Sequence, residues 1–175
     1  MKLSATFPSE TQAITLTALV STLLIAGAHI FQFAGYEPCD LCLQQRTPHW
    51  VNMGLGAAAL VLLWRGFNRL TPLFLLAMAG ALSVTAGIAA YHVGVEQKWW
   101  EGPTGCSAGG IGPNLSLEEM LAQIENTTVV PCDQVTWSLF GVSMAGYNFL
   151  ISTAAALFAL WALSRMMRNG RKNQG

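Results

Sequence analysis

The sequence predicts an all-α membrane protein, a four-transmembrane-helix bundle with a short amphipathic surface helix in the second outer loop. Three observations predict it. Hydrophobic residues make up 53% of the 175-residue chain and charged residues 10%, a balance ordinary for a lipid-dissolved chain and unusual for a water-soluble domain. The apolar residues form four runs that suit a hydrocarbon core of about 30 Å, which takes about 20 residues at helical rise. The sparse charges gather in the loops and tails between and beyond those runs. Formal net charge is zero, which gives no encouragement to nucleic-acid binding, and residues 1–175 read as a single membrane domain.

The first helix is expected over residues 14–34. A cleaved signal peptide is the competing reading, with Ala26-Gly27-Ala28 as a small-residue site. Against it, the apolar run exceeds the usual signal core, one Lys precedes it, and the aromatic edge Phe31, Phe33, Tyr36 continues past the cut. The second helix, 49–64, opens after Pro48, which suits a first helical turn, and carries Trp50 and Trp64 as interface anchors. The third, 72–95, has Thr71 as its N-cap before Pro72, and Gly80, Gly87 and Gly94 offer one face for close backbone packing. The fourth covers 142–163, leaving outer loops at 35–48 and 96–141. In the second of these, Ser116 and Glu119 form a capping box, and Leu117, Met120, Leu121 and Ile124 share an apolar face. That helix is too short to span and is expected to lie on the outer surface.

Short cytoplasmic segments retain Lys and Arg, so the basic residues set the orientation. Lys2, then Arg65 and Arg69 in the middle turn, then Arg165, Arg168, Arg171 and Lys172 mark one side, against Arg46 and Lys98 on the other. Both termini are therefore expected in the cytoplasm. All four cysteines, Cys39, Cys42, Cys106 and Cys132, then face outward.

Outside the cytoplasm two pairs of cysteines can be inert staples, because disulfides persist there. Cys39-Asp40-Leu41-Cys42 argues otherwise: its tiny loop constrains the unfolded chain little, yet this spacing is the one that lowers a thiol pKa in exchange catalysts. Zinc is a further alternative, but Cys106 and Cys132 lack close ligand spacing and the compartment favours oxidised sulfur, so no metal is expected. The Gly-rich stretch Ser107 to Gly112 leaves Cys106 accessible, as thiol exchange requires.

Arg46, four residues after Cys42, places a permanent cation at the outer interface. It can snorkel to headgroups, or lower the Cys42 pKa and hydrogen-bond an oxygen of a small electron acceptor; the adjacent CxxC favours the second use. His92, near the outer end of the third helix, shares that leaflet and is a candidate by its intramembrane place. His29 and His49 are weaker candidates. Asp40 adds a negative charge that opposes Arg46.

These residues match a known pattern. With Cys39-x-x-Cys42-x-x-x-Arg46, then Tyr91-His92-x-Gly94-Val95-Glu96, Trp99-Trp100-x-Gly102-Pro103, Cys106, and Pro131-Cys132-Asp133 before Trp137, the chain resembles the bacterial DsbB-type disulfide bond formation proteins. In the related vitamin K epoxide reductase-like fold the CxxC follows the loop pair, whereas here it comes first. The resemblance implies a quinone-coupled thiol oxidase of the inner membrane, multi-pass, with its cysteine loops in the periplasm. Cys106 and Cys132 would form the disulfide attacked by a soluble periplasmic DsbA-like oxidant of thioredoxin fold. Electrons would pass through a Cys39 to Cys132 bridge to Cys42 and on to ubiquinone or menaquinone from the membrane pool. Arg46 would polarise the quinone, with His92 close to it. Two rivals stand beside this reading: a non-enzymatic membrane scaffold with two structural disulfides, and a paralogue dedicated to one thiol partner.

Overall fold

The computed structural model describes residues 9–103 and 130–172. They form four long helices, α1 (Glu10–Phe33), α2 (Asp40–Trp64), α3 (Thr71–Glu96) and α4 (Met144–Lys172). A 3-10 turn, Asn68–Leu70, precedes α3, and a hairpin of β1 (Ser138–Leu139) and β2 (Val142–Ser143) precedes α4. The expected surface helix lies outside the described residues, as does Cys106.

Local chemistry sets the ends of the helices. Ser9 and Gln12 make a reciprocal capping box that starts α1. At its other end Tyr36 N–H reaches the Phe31 carbonyl and Gly35 N–H the Gln32 carbonyl, a Schellman closure with Gly35 at φ +94°. The same closure ends α3, through Trp99 to Gly94 and Lys98 to Val95, but here Lys98 occupies the left-handed position at φ 58°. Thr71 is the first residue of α3 rather than its cap, with Pro72 in the first turn where a missing N–H costs nothing.

The largest departure from expectation is α2. It begins at Asp40, not after Pro48, because the Cys39 sulfur accepts the Cys42 N–H at 3.3 Å and caps a helix that runs on through Pro48. The CxxC is therefore a helix start rather than a loop. The glycine face of α3 also differs: Gly80 and Gly87 are exposed and would meet nothing if a Cβ were added. Close approach occurs instead at Gly56, where an added Cβ would lie 2.6 Å from Ala18 on α1, and at Gly94, which makes room for the Trp100 indole folded back over Tyr91.

Each helix packs on its neighbour in sequence, and α4 closes the bundle against both α3 and α1. Toward the end that holds the start of α1, the core is apolar: Ile14, Ala59, Leu75, Met78 and Ala159. Toward the other it turns polar, with Ser21, Gln45, His49, Asn52, Thr85 and His92 all buried. Meanwhile Leu23, Leu73, Leu157 and Trp64 are exposed. Apolar outside and polar inside is the arrangement expected of a chain solvated by hydrocarbon. Three helical segments, Glu10–Phe33, Asn68–Glu96 and Met144–Asn169, are long and apolar enough to cross a membrane, so the protein is a multi-pass membrane protein. α2 has the length but carries Asp40, Gln44, Gln45, Arg46, His49 and Asn52.

Candidate functional site

The site is built where α2 begins. Capping fixes Cys39 at the helix entrance and helical geometry brings Cys42 back over it, so the two sulfurs lie 2.9 Å apart as free thiols. Cys39 is buried and Cys42 half-buried. The Cys39 thiol donates to the Cys42 sulfur; that bond is the main reason the Cys42 pKa is lowered, with the Arg46 charge adding to it and burial and Glu96 opposing it. For Cys39 the same bond, together with burial, drives the pKa far up. Hydrogen bonding thus sets the two thiols apart, Cys42 being the more acidic of the pair.

Cys42 opens onto a cavity of about 330 Å³, within the range of small-molecule pockets, whose walls include Phe31, Tyr36, Arg46, Trp137 and Tyr147. The aromatic walls brace one another: Phe31 meets Tyr36 and Trp137 edge to face, and Tyr147 is tied to the hairpin by its hydroxyl on the Leu139 carbonyl. Arg46 is held against α1 by Gln32 Oε1 at 2.8 Å and the Ala28 carbonyl at 3.4 Å. These bonds aim the guanidinium along the cavity wall instead of out to headgroups.

His92 does not line that cavity. It stands behind the cysteines, with Nε2 3.6 Å from the Cys39 sulfur and 3.9 Å from Glu96 Oε1, and it hydrogen-bonds the main chain of Cys132. Cys132 is fully buried, disulfide-bonded, and packed with Cys39, Leu41 and Val95. A small recess beside the dithiol is bounded by Cys39, Cys42, His92, Glu96 and Pro131. The structure therefore brings Cys39, Cys42, Arg46, His92 and Cys132 together, and Cys106 lies outside the described residues.

Cys39, Cys42 and His92 present ligand atoms within 4.8 Å of one another, a set that could hold a soft metal ion. Two thiolates on one tetrahedral zinc sit about 3.8 Å apart, given Zn–S bonds of about 2.3 Å. The two sulfurs here lie 2.9 Å apart, closer than that arrangement places them. Among the weaker candidates, His29 packs against Trp50, whereas His49 lies buried between Ser21 and Asn148. Asp40 is exposed and bonded to Gln44; the carboxylate that acts on Cys42 is Glu96, itself bonded to Ser143 at the start of α4. Sequence reasoning gave Glu96 only as part of a matching motif, without a role, and did not name Gln45 or Asn148. The signal available was an amide or acid in a segment bordered by membrane-length apolar runs.

A buried dithiol at the edge of a helical membrane bundle, beside an aromatic-walled cavity and packed on an oxidised cysteine, defines a membrane protein of thiol–disulfide chemistry. The family model for "Disulfide bond formation protein DsbB" matches residues 10–162. A disulfide bond formation protein B of Azoarcus sp. strain BH72 is 30% identical over 83% of this chain and 87% of its own length. Another, from Verminephrobacter eiseniae, is 28% identical over 94% of this chain and 91% of its own. No solved structure matches. The chain belongs to the DsbB family of disulfide bond formation proteins.

Proposed function

We propose that this protein is a quinone-dependent protein-disulfide oxidoreductase, which reoxidises a periplasmic DsbA-like dithiol protein and so supports disulfide formation in exported proteins. The observation that carries the reading is the position of Cys42, which lines the cavity together with Arg46. The cavity suits a planar ring: aromatic side chains wall it, and a cation that never deprotonates lies on its edge. Quinone, when bound there, supplies the two-electron acceptor and leaves as quinol. Ubiquinone and menaquinone both meet these requirements.

The residues divide the work. A thiolate of the reduced partner attacks the outer disulfide at Cys106, becoming linked to it and releasing Cys132. Cys132, packed against Cys39, exchanges there and frees Cys42 as a thiolate; Arg46 holds that charge and orients an acceptor oxygen. Each cycle removes two electrons and two protons from the partner's dithiol, leaving its disulfide. Residues 49–64 of α2 serve as the fourth span, with the first turns that carry Cys42 and Arg46 at the outer edge of the bilayer, and α2 packs along both α1 and α3. Both termini lie in the cytoplasm and the cysteine loops in the periplasm of the inner membrane.

Thiol trapping of the native protein with quinone present and absent tests the reading. Quinone should oxidise the Cys39–Cys42 pair, and Cys42→Ser should abolish quinone reduction by a reduced partner while leaving the fold intact. Trapped thiols indifferent to quinone, or unchanged turnover in the variant, would favour a scaffold with permanent disulfides.

A further inference from the structure

Closing a disulfide between Cys39 and Cys42 removes the proton of a buried thiol, and the geometry limits where that proton goes. Once Cys42 is bonded to an oxidant, the Cys39 sulfur attacks it: an S–S bond forms, the bond from Cys42 to the oxidant breaks, and the electron pair leaves with the oxidant. The sulfurs already lie 2.9 Å apart. Two donors face Cys39 during that step, the Cys42 N–H at 3.3 Å and His92 Nε2 at 3.6 Å, so its sulfur is supported as charge develops there. The step still needs a proton acceptor, and Cys39 is buried away from water.

His92 is not that acceptor. Gln45 Nε2 donates to the Leu41 carbonyl at 3.2 Å, which identifies the nitrogen of that amide, and the same nitrogen lies 2.9 Å from His92 Nδ1. Nδ1 therefore accepts, Nε2 already carries the ring hydrogen, and a second proton would set N–H against N–H. Glu96 is placed to do what His92 does not. Its side chain is 6% exposed, Oε2 accepts from the Ser143 hydroxyl, and Oε1 lies 3.9 Å from His92 Nε2, beyond hydrogen-bond range. It meets both thiols across the recess, whose volume of about 20 Å³ is room for one water to carry the proton over.

We infer that Glu96 takes the proton of Cys39 as the Cys39–Cys42 disulfide closes, with the recess as the path between them. The proton passes on to water when the site resets. This rests on Cys42 as the sulfur that meets the acceptor, since only then is Cys39 the attacking thiol. The titratable groups that bound the recess with Glu96 are Cys39 and Cys42 on α2, Glu37 just before it and His92 on α3, with Arg46 one turn beyond Cys42; the segment 130–137 and the start of α4 contribute no titratable side chain to its wall. Glu37 is the one other carboxylate there, and it is exposed. A carboxylate acting by charge alone hinders ionisation of both thiols, whereas one that accepts the proton speeds closure. The two roles predict opposite signs.

The test uses dithiodipyridine, a neutral aromatic disulfide, on reduced full-length protein with Cys106 and Cys132 replaced by serine. Cys42 attacks the reagent and releases one thiopyridone; Cys39 then closes on Cys42 and releases the second, and mass spectrometry of acid-quenched samples tells the adduct from the closed disulfide. Glu96→Gln should keep the first release at least as fast as the parent's and slow the second about a hundredfold at neutral pH. With the carboxylate gone, the second release should gain about tenfold per pH unit, while the parental one levels off once Glu96 is ionised. Glu96→Asp should recover part of the loss, and Glu37→Gln should leave both releases at parental rates. A second release in Glu96→Gln at or above the parental rate would overturn the proposal, as would an equal slowing in Glu37→Gln. If Glu96→Gln does not fold, the parental profile decides: a second release that climbs about tenfold per unit from about pH 5 to about pH 9 without a plateau means that hydroxide takes the proton. No quinone takes part, so failure here strikes the proton assignment and leaves the quinone test of Cys42→Ser standing.

Discussion

Cys39 and Cys42 are the same residue type a few ångströms apart, and they differ in acidity because of what surrounds them. Cys39 is a donor held by the helix start, and Cys42 an acceptor within reach of Arg46. Glu96 works against Arg46, raising the Cys42 pKa by repulsion. Glu96→Gln removes that repulsion, so the midpoint of Cys42 alkylation should move to lower pH. A fall of several tenths of a unit, roughly a two- to fivefold rise in thiolate at a pH below the midpoint, is expected in a pH-resolved labelling experiment. A midpoint that rises would mean Glu96 acts chiefly through the Ser143 bond that ties α3 to α4. At this scale the nearness of Cys39, Cys42 and Arg46 was legible because a spacing of three and four residues puts them on adjacent turns. Gln45 and Asn148 were not: they lie 103 positions apart, and their meeting depends on the register between helices.

Among the elements, α2 shows what sequence punctuation cannot convey. Pro48 reads as a helix start because proline usually stands there, but a sulfur cap at Cys39 lets the helix begin earlier and carry the proline inside. The gain is geometric, since Cys42, Gln45, Arg46 and His49 become one rigid face. Strands β1 and β2 were also unforeseen, being a two-residue ladder around Phe140 and Gly141, both at positive φ. α1, α3 and α4 were legible because a long apolar run has few other fates. The end of α3 makes its own prediction. Lys98 adopts the left-handed conformation that closes the helix, at a cost of about 1 kcal/mol relative to glycine. Lys98→Gly should therefore raise the thermal midpoint in detergent by a few degrees, corresponding to about 1 kcal/mol. A lowered midpoint would show that the Lys side chain contributes more than its backbone costs.

For the whole molecule, the polar interior and apolar exterior set a solvent problem that α2 must solve. The half of α2 that carries the site is polar, so the helix falls short of a span by composition, and its crossing belongs to the proposed arrangement. The connection from α2 to α3 is only residues 65–70, so the end of α2 and the start of α3 share one membrane face. If α3 crosses, its far end at Lys98 lies on the opposite face, with the dithiol. On the proposed orientation, Arg65 and Arg69 put the short connection in the cytoplasm. In a background with the four native cysteines replaced by serine, Lys98→Cys should react with a membrane-impermeant maleimide in intact spheroplasts. Arg69→Cys should react only after the membrane is opened. The reverse pattern would invert the protein. Labelling of both without permeabilisation would leave α3 uncrossed, and with it the separation of a thiol-exchanging face from a cytoplasmic one on which the electron path depends.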